Sequence, residues 1–168
     1  MRWIAEHHGN VPASGRWLRY GAAAVAVATT AVVGALPVDP ESSWYGDLRK
    51  PVWQPPSWVF GVVWTPLYAS LAFAGGRAFG RARGAERTGV AISFGANLSL
   101  NAAWPWLFFA CRSPRAGVAG TLLLDASNAE LIRRVARLDT TAARALLPYA
   151  AWCAFATALN ASIARRNG

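Results

Sequence analysis

Trp44-Tyr45-Gly46-Asp47-Leu48-Arg49-Lys50-Pro51-Val52-Trp53-Gln54-Pro55-Pro56-Ser57-Trp58 runs without a break into the apolar stretch of residues 59–78. Indole rings, prolines and charged residues stand directly ahead of a segment long enough to cross a bilayer. Soluble loops seldom combine this much aromatic surface with this much chain stiffening. At a membrane boundary the mixture has a physical reason: indoles settle at the headgroup level and proline holds a connection rigid. The stretch predicts a membrane protein whose first long loop has a purpose of its own.

Composition agrees. The 168-residue chain is 54% hydrophobic and only 15% charged, against about 25% charged in an ordinary soluble domain. Its apolar residues gather into five runs, residues 20–36, 58–78, 89–110, 116–132 and 145–164. Each is near the roughly 20 residues that about 30 Å of hydrocarbon requires. Helix is demanded in that setting, because every backbone amide must find a partner within its own segment. The expected fold is all-α: a bundle of five transmembrane helices in residues 20–168, behind a tail of residues 1–19. Pro66 and Pro105 interrupt the second and third runs, and Pro148 is expected in the opening turn of the fifth. The fourth is the most polar, with Asp125, Asn128 and Glu130 inside it and Arg133-Arg134 closing it.

The net charge of +9 raises the question of nucleic acid. However, the basic residues are dispersed between apolar runs, and no basic segment interleaved with aromatics occurs, so nucleic acid is not expected as a partner. Eleven of them fall on the side of the tail and six on the other. By the positive-inside rule the N-terminus is expected in the cytoplasm and the loop of residues 37–57 outside. An Ala- and Arg-rich composition poor in Lys points to a bacterial cell membrane. The apolar run opens too late for a secretory signal. Cys111 and Cys153 form neither a disulfide framework nor a metal pattern and are expected to pack as small apolar side chains.

Asn97, Asn101, Trp104 and Phe108 recur at helical spacing and form one stripe. Membrane-embedded amides avoid lipid, so the stripe is expected to face inward. Trp64 and Tyr68 share a face of the second run; Trp152, Ala156 and Asn160 share one of the fifth. These residues can build an aromatic hollow with the first loop as its lid. The plainer readings are interfacial anchoring for Trp3 and Trp17, and interhelical bonding for Asn97, Asn101 and Asn160. Glu130 can pair with Arg134 four residues on, whereas Asp125 has no evident partner. No nucleophile–His–acid set, metal-ligand spacing or phosphate-cradling loop is present, since the histidines are His7 and His8, expected to be solvated in the tail.

Trp44-Tyr45, Leu48 to Pro51, Trp53-Gln54-Pro55-Pro56 and Val63-Trp64-Thr65-Pro66-Leu67-Tyr68 resemble the TspO/MBR family, the bacterial tryptophan-rich sensory proteins and the mitochondrial translocator protein (peripheral benzodiazepine receptor). Leu100-Asn101-Ala102-Ala103-Trp104-Pro105 with Phe108-Phe109 is similar to its third-helix signature. Pro148-Tyr149-Ala150-Ala151-Trp152 and Phe155 to Asn160 are similar to its fifth. The resemblance implies a dimeric five-helix bundle with a lidded cavity for porphyrins such as protoporphyrin IX or heme-like pigments, or other flat hydrophobic ligands, and no required cofactor. It places Trp44, Tyr45, Trp53, Trp64, Asn101, Trp104 and Trp152 at the ligand, and Tyr68, which shares a helix face with Trp64, is expected beside them. Arg49 and Lys50 in the lid are the nearest cations in sequence for porphyrin propionates. In some bacterial members two deep tryptophans serve light-dependent porphyrin breakdown, and by motif these are Trp64 and Trp152. Two departures stand out. Ala161 replaces the Tyr of the animal sterol motif, and the fourth run is unusually polar. The leading expectation is a tetrapyrrole sensor or carrier in the membrane. A photo-oxidative enzyme comes second and a purely structural bundle third.

Overall fold

The computed structural model describes residues 13–168, so the expectations for Trp3, His7 and His8 lie outside it. The described residues form five long helices and one short one. These are α1 (Ala13–Ala35), α2 (Ser43–Asp47), α3 (Ser57–Arg81), α4 (Gly84–Pro105), α5 (Pro114–Ala136) and α6 (Thr140–Arg166). The five-helix membrane bundle read from the apolar runs is the fold, and α2 is the helical turn within the first loop.

Every long helix extends beyond its apolar run. α1 already begins at Ala13, inside the stretch read as tail, so Arg16 and Arg19 are helical. α6 begins at Thr140, which puts Pro148 well inside the helix instead of in its opening turn. Local chemistry sets these ends. The Asp139 carboxylate accepts the Ala142 amide at 2.9 Å and caps α6, and Ser113 Oγ caps α5 by accepting the Ala116 amide at 3.2 Å. Pro114 follows at the first helical position, where its missing N–H costs nothing.

By length and composition alone, only α1, α3 and α6 are apolar enough to cross a membrane. α4 falls short because it carries Ser93, Asn97 and Asn101, and α5 because Asp125, Asn128, Glu130 and Arg133 stand within it; of these Ser93, Asn97, Asn101 and Asn128 are buried in the bundle. Asn97 is fully enclosed, at 0% exposure. Amides turned toward one another need not face lipid.

Glycines let the helices close in. A Cβ on Gly75 would lie 3.2 Å from the Ala23 Cβ and 2.9 Å from the Phe94 ring, and one on Gly76 would meet the Tyr20 ring at 2.2 Å. α1, α3 and α4 therefore pack at a separation that only small residues allow. Gly117 makes the same allowance between α5 and the Phe108 and Asn160 side chains, at 2.7 and 2.8 Å.

After Pro105 the α4 helix widens into a π-helical turn, Trp106–Ala110. The amide of Cys111 reaches back to the carbonyl of Trp106 at 2.9 Å, and that of Ser113 to Phe108 at 3.2 Å. In an α-helix Phe109 would stand about 140° around from Trp104. The wider turn instead brings both Phe108 and Phe109 to the Trp104 side. Cys111, expected to pack, is exposed just beyond this turn, whereas Cys153 is buried in the core.

At one end of the bundle Arg77 holds Asp139, with its Nε and a terminal nitrogen 2.9 and 2.8 Å from Oδ2. Burial works against the Asp139 charge. The Ala142 amide, Arg77 and Arg81 outweigh it and hold the carboxyl below its ordinary value. Stability from this group is complete above the unfolded-state carboxyl value of about 3.9 and is lost as pH falls through the lower folded-state value. Asp139→Ala is expected to cost about 1–2 kcal/mol at neutral pH, and Asp139→Asn less because it keeps the cap. Thermal unfolding of the purified protein in detergent, at pH 7 and in steps down into strong acid, tests both the cost and its decline as pH falls.

Candidate ligand chamber

A cavity of about 360 Å³ lies among α1, α3, α4, α5 and α6 under the first loop, within the roughly 300–1,000 Å³ usual for ligand sites. α3 lines it on successive turns with Ser57, Phe60, Gly61, Trp64 and Tyr68. That is about 16 Å of helix, from the lid to the floor. α4 and its π turn supply Asn101, Trp104, Phe108 and Phe109, and α6 supplies Trp152, Cys153, Ala156 and Asn160. The wall from α1 is bare, formed by Ala31, Gly34 and Ala35. None of the lining residues carries a charge.

The rings pack in three groups, one around each of Trp64, Trp104 and Trp152. Trp64 stacks on Tyr68 with centroids 5.0 Å apart, and Trp104 stacks on Phe108 at 5.9 Å. Trp152 sits edge-on to Phe60 at 5.7 Å and tilted against Phe155 at 5.2 Å. Such offset and edge contacts suit the aromatic quadrupole and hold each ring in place.

Beneath the rings runs a head-to-tail chain of hydrogen bonds. Tyr68 Oη donates to Asn101 Oδ1 at 3.0 Å, and Asn101 Nδ2 donates to Tyr149 Oη at 3.0 Å. Tyr149 Oη in turn donates to Asn97 Oδ1 at 3.1 Å, and Asn97 Nδ2 to Asn128 Oδ1 at 2.7 Å. The two readings of Asn101 are therefore both realised, since it binds helices together and forms part of the chamber floor. Asn97 serves only as interhelical glue. Asp125, without a partner by sequence reasoning, accepts the Thr157 hydroxyl at 2.6 Å across the α5–α6 contact. Glu130 pairs with Arg134 as the spacing predicts, and also with Arg133 at 2.6 Å.

Six of the sequence-predicted residues line the chamber: Tyr45, Trp64, Tyr68, Asn101, Trp104 and Trp152. Four do not. Trp44 packs edge-on against Phe108 at 5.5 Å, and Trp53, 46% exposed, against Phe155 at 5.8 Å. Both brace the lid from behind. Arg49 is exposed and held by its backbone: its N–H donates to Asn167 Oδ1 at 2.9 Å, and its carbonyl accepts from Asn167 Nδ2 at 3.0 Å. Lys50 Nζ lies 4.1 Å from the centroid of Tyr45, on the ring face. It thus stands one ring away from the interior. Burial pushes the Tyr45 hydroxyl above its ordinary value, and the hydrogen bond with Gln54 opposes that rise. Sequence reasoning missed Phe60 and Thr121. Phe60, one turn before Trp64, carried a usable signal in its helical spacing.

Two buried polar atoms on lining side chains lack partners among the described residues: Trp152 Nε1 and Gln54 Oε1. Buried donors and acceptors are ordinarily satisfied. One unpaired donor and one unpaired acceptor on the same aromatic hollow are what a complementary ligand would fill.

A multi-pass helical membrane protein with an internal, uncharged, aromatic chamber closed by a loop is the class that this architecture defines. The family model described as TspO/MBR family matches residues 22–166. The chain is 36% identical to the human "Translocator protein" over 126 residues, 74% of this chain and 75% of that one. It is 35% identical to the "Tryptophan-rich sensory protein" of Cereibacter sphaeroides over 152 residues, 90% of each chain. It is 34% identical to the "Tryptophan-rich protein TspO" of Chlorobaculum tepidum over 129 residues, 76% of this chain and 82% of that one. The chain belongs to the TspO/MBR family.

Tyr149→Phe removes one hydroxyl and leaves both Asn97 Oδ1 and Asn101 Nδ2 unpaired inside the bundle. The expected cost is about 1–3 kcal/mol per stranded group, seen as a lower midpoint in thermal unfolding. A midpoint equal to that of the unaltered protein would show that the hydrogen-bond chain contributes nothing.

Proposed function

We propose that this protein is a membrane-embedded tetrapyrrole sensor or carrier that takes a porphyrin into its aromatic chamber. The observation carrying this reading is the convergence of Trp64, Trp104 and Trp152, from three separate helices, on one uncharged hollow. A porphyrin is a flat, mostly apolar macrocycle. Aromatic faces can stack on it, each contact adding on the order of 0.5–1.5 kcal/mol beyond area burial. Its propionates find no cation among the lining residues, so they would project toward the lid, where Lys50 covers Tyr45. Trp152 Nε1 and Gln54 Oε1 are available to polar groups of the ligand. Family membership supports the same reading, along with pairing of two copies. The excess of basic residues beside α1, α3 and α5 supports a cytoplasmic N-terminus in a bacterial cell membrane.

One observation favours a second reading, photo-oxidative porphyrin breakdown: both deep tryptophans, Trp64 and Trp152, line the chamber. Titration with protoporphyrin IX is expected to quench tryptophan fluorescence saturably. Trp64→Phe combined with Trp152→Phe should weaken binding by about tenfold, the loss of one or two good stacking contacts. Trp58→Phe, outside the chamber and 68% exposed, should not. An unchanged titration in the double variant would remove the site assignment. Illumination of the complex separates the two roles, because loss of the porphyrin absorbance that requires both light and Trp152 supports the enzyme.

A further inference from the structure

At the opposite end of the bundle from the lid lies a second, polar pocket of about 170 Å³, lined by Arg16, Arg19, Tyr20, Gly76, Arg77, Gly80, Arg81 and Asp139. It begins well past the aromatic chamber: Arg77 stands about 13 Å along α3 beyond Tyr68. Its volume far exceeds the roughly 10–15 Å³ that a single water requires. We propose that this pocket binds a phosphate-bearing anion, either the headgroup of an anionic lipid or free phosphate.

The sequence builds the pocket from two pairs. Arg16 and Arg19 are three apart on α1, Arg77 and Arg81 four apart on α3, and each pair occupies one helix face. Gly76 accommodates the Tyr20 ring, and the Arg19 guanidinium lies over Gly80, 3.7 Å from where a Cβ would stand. Two helices thus approach closely enough for four guanidiniums to share one hollow.

Charge then decides what the hollow is for. Asp139 is the one carboxylate lining it, and both its oxygens are already committed, Oδ1 to the Ala142 amide and Oδ2 to Arg77. Arg81 stands farther away, at 3.7 Å from Oδ2. Four guanidiniums against one carboxylate leave three positive charges among the lining residues. Arg19 Nε is enclosed and has no hydrogen-bond partner among the described residues. A charged donor in that state calls for an acceptor. Guanidinium forks match the paired oxygens of phosphate, and several forks arriving from two helices suit a tetrahedral anion better than a single carboxylate. The N-terminus of α6, beginning just after Asp139, adds a favourable dipole. Trp17, exposed beside Arg16 at this helix end, is the kind of side chain that settles at the headgroup level, where lipid phosphates are found.

The test uses the full chain in a nonionic detergent, with thermal unfolding read against added dioleoyl-phosphatidylglycerol, dioleoyl-phosphatidylcholine or inorganic phosphate. Phosphatidylglycerol is expected to raise the midpoint saturably, and less so at high salt. Arg16→Gln with Arg19→Gln should raise the half-saturating lipid concentration by about tenfold. Arg165→Gln with Arg166→Gln, at the other end of the bundle, should leave it unchanged. Porphyrin quenching by the Arg16/Arg19 variant, which leaves the chamber untouched, reports that it is folded. If that variant unfolds, Arg81→Gln, with its side chain 61% exposed, takes its place. An equal response to phosphatidylcholine, or an undiminished response in the arginine variants, overturns the proposal. A response to millimolar inorganic phosphate that matches the lipid identifies the free anion as ligand. A response to the lipid alone identifies the headgroup.

Discussion

The Tyr149 hydroxyl is the constraint on which the bundle interior turns. Hydrocarbon offers no water to polar groups, so any amide or hydroxyl placed there must be satisfied by another helix. Tyr149 accepts from Asn101 and donates to Asn97, which ties α6 to two successive turns of α4 through one oxygen. Asn101 continues the chain to Tyr68 on α3, and Asn97 continues it to Asn128 on α5. Four helices are held in register by donors and acceptors that alternate without a mismatch. α1 takes no part in this chain and is held by close packing against Gly75 and Gly76 instead.

The chamber follows from that register. Once Asn101 and Tyr68 are fixed as a polar floor, the next aromatic turns of the same helices, Trp104 and Trp64, necessarily line the space above it. α6 adds Trp152 one turn beyond Tyr149. The chamber stays open because α1 contributes only small side chains and because Trp44 and Trp53 hold the lid by packing behind it, outside the cavity. Asn167 completes the closure by pairing with both backbone groups of Arg49, as a neighbouring strand would. The two hollows consequently differ in kind, the chamber lined by uncharged and largely aromatic side chains, the pocket at the opposite end by guanidiniums.

Much of the fold and part of the site could be read from the chain. Runs of apolar residues near 20 in length report the helices directly, because bilayer thickness and helical rise set that length. The stripe Asn97–Asn101–Trp104–Phe108 and the pair Trp64–Tyr68 report inward faces, because helical spacing carries through to the fold unaltered. Helix ends were legible only in retrospect. Ser113 and Asp139 are ordinary capping residues, but in a membrane chain the hydropathy boundary draws attention away from them. Roles in the lid were not legible. Trp44, Arg49, Lys50 and Trp53 stand in a non-repeating loop, where sequence position says nothing about which side chain points inward.

The sequence alone determined that five helices cross a membrane, that amides face inward and that indoles gather near one loop. These properties follow from local periodicity and solvent partition, which need no knowledge of neighbours. Only the tertiary structure decided that Asp125 meets Thr157, that a π turn after Pro105 swings both Phe108 and Phe109 toward Trp104, and that Arg16 and Arg19 share a hollow with Arg77 and Arg81. Each of these depends on the rotation and separation of one helix relative to another, and those are set by which glycines permit contact and which hydrogen bonds must close.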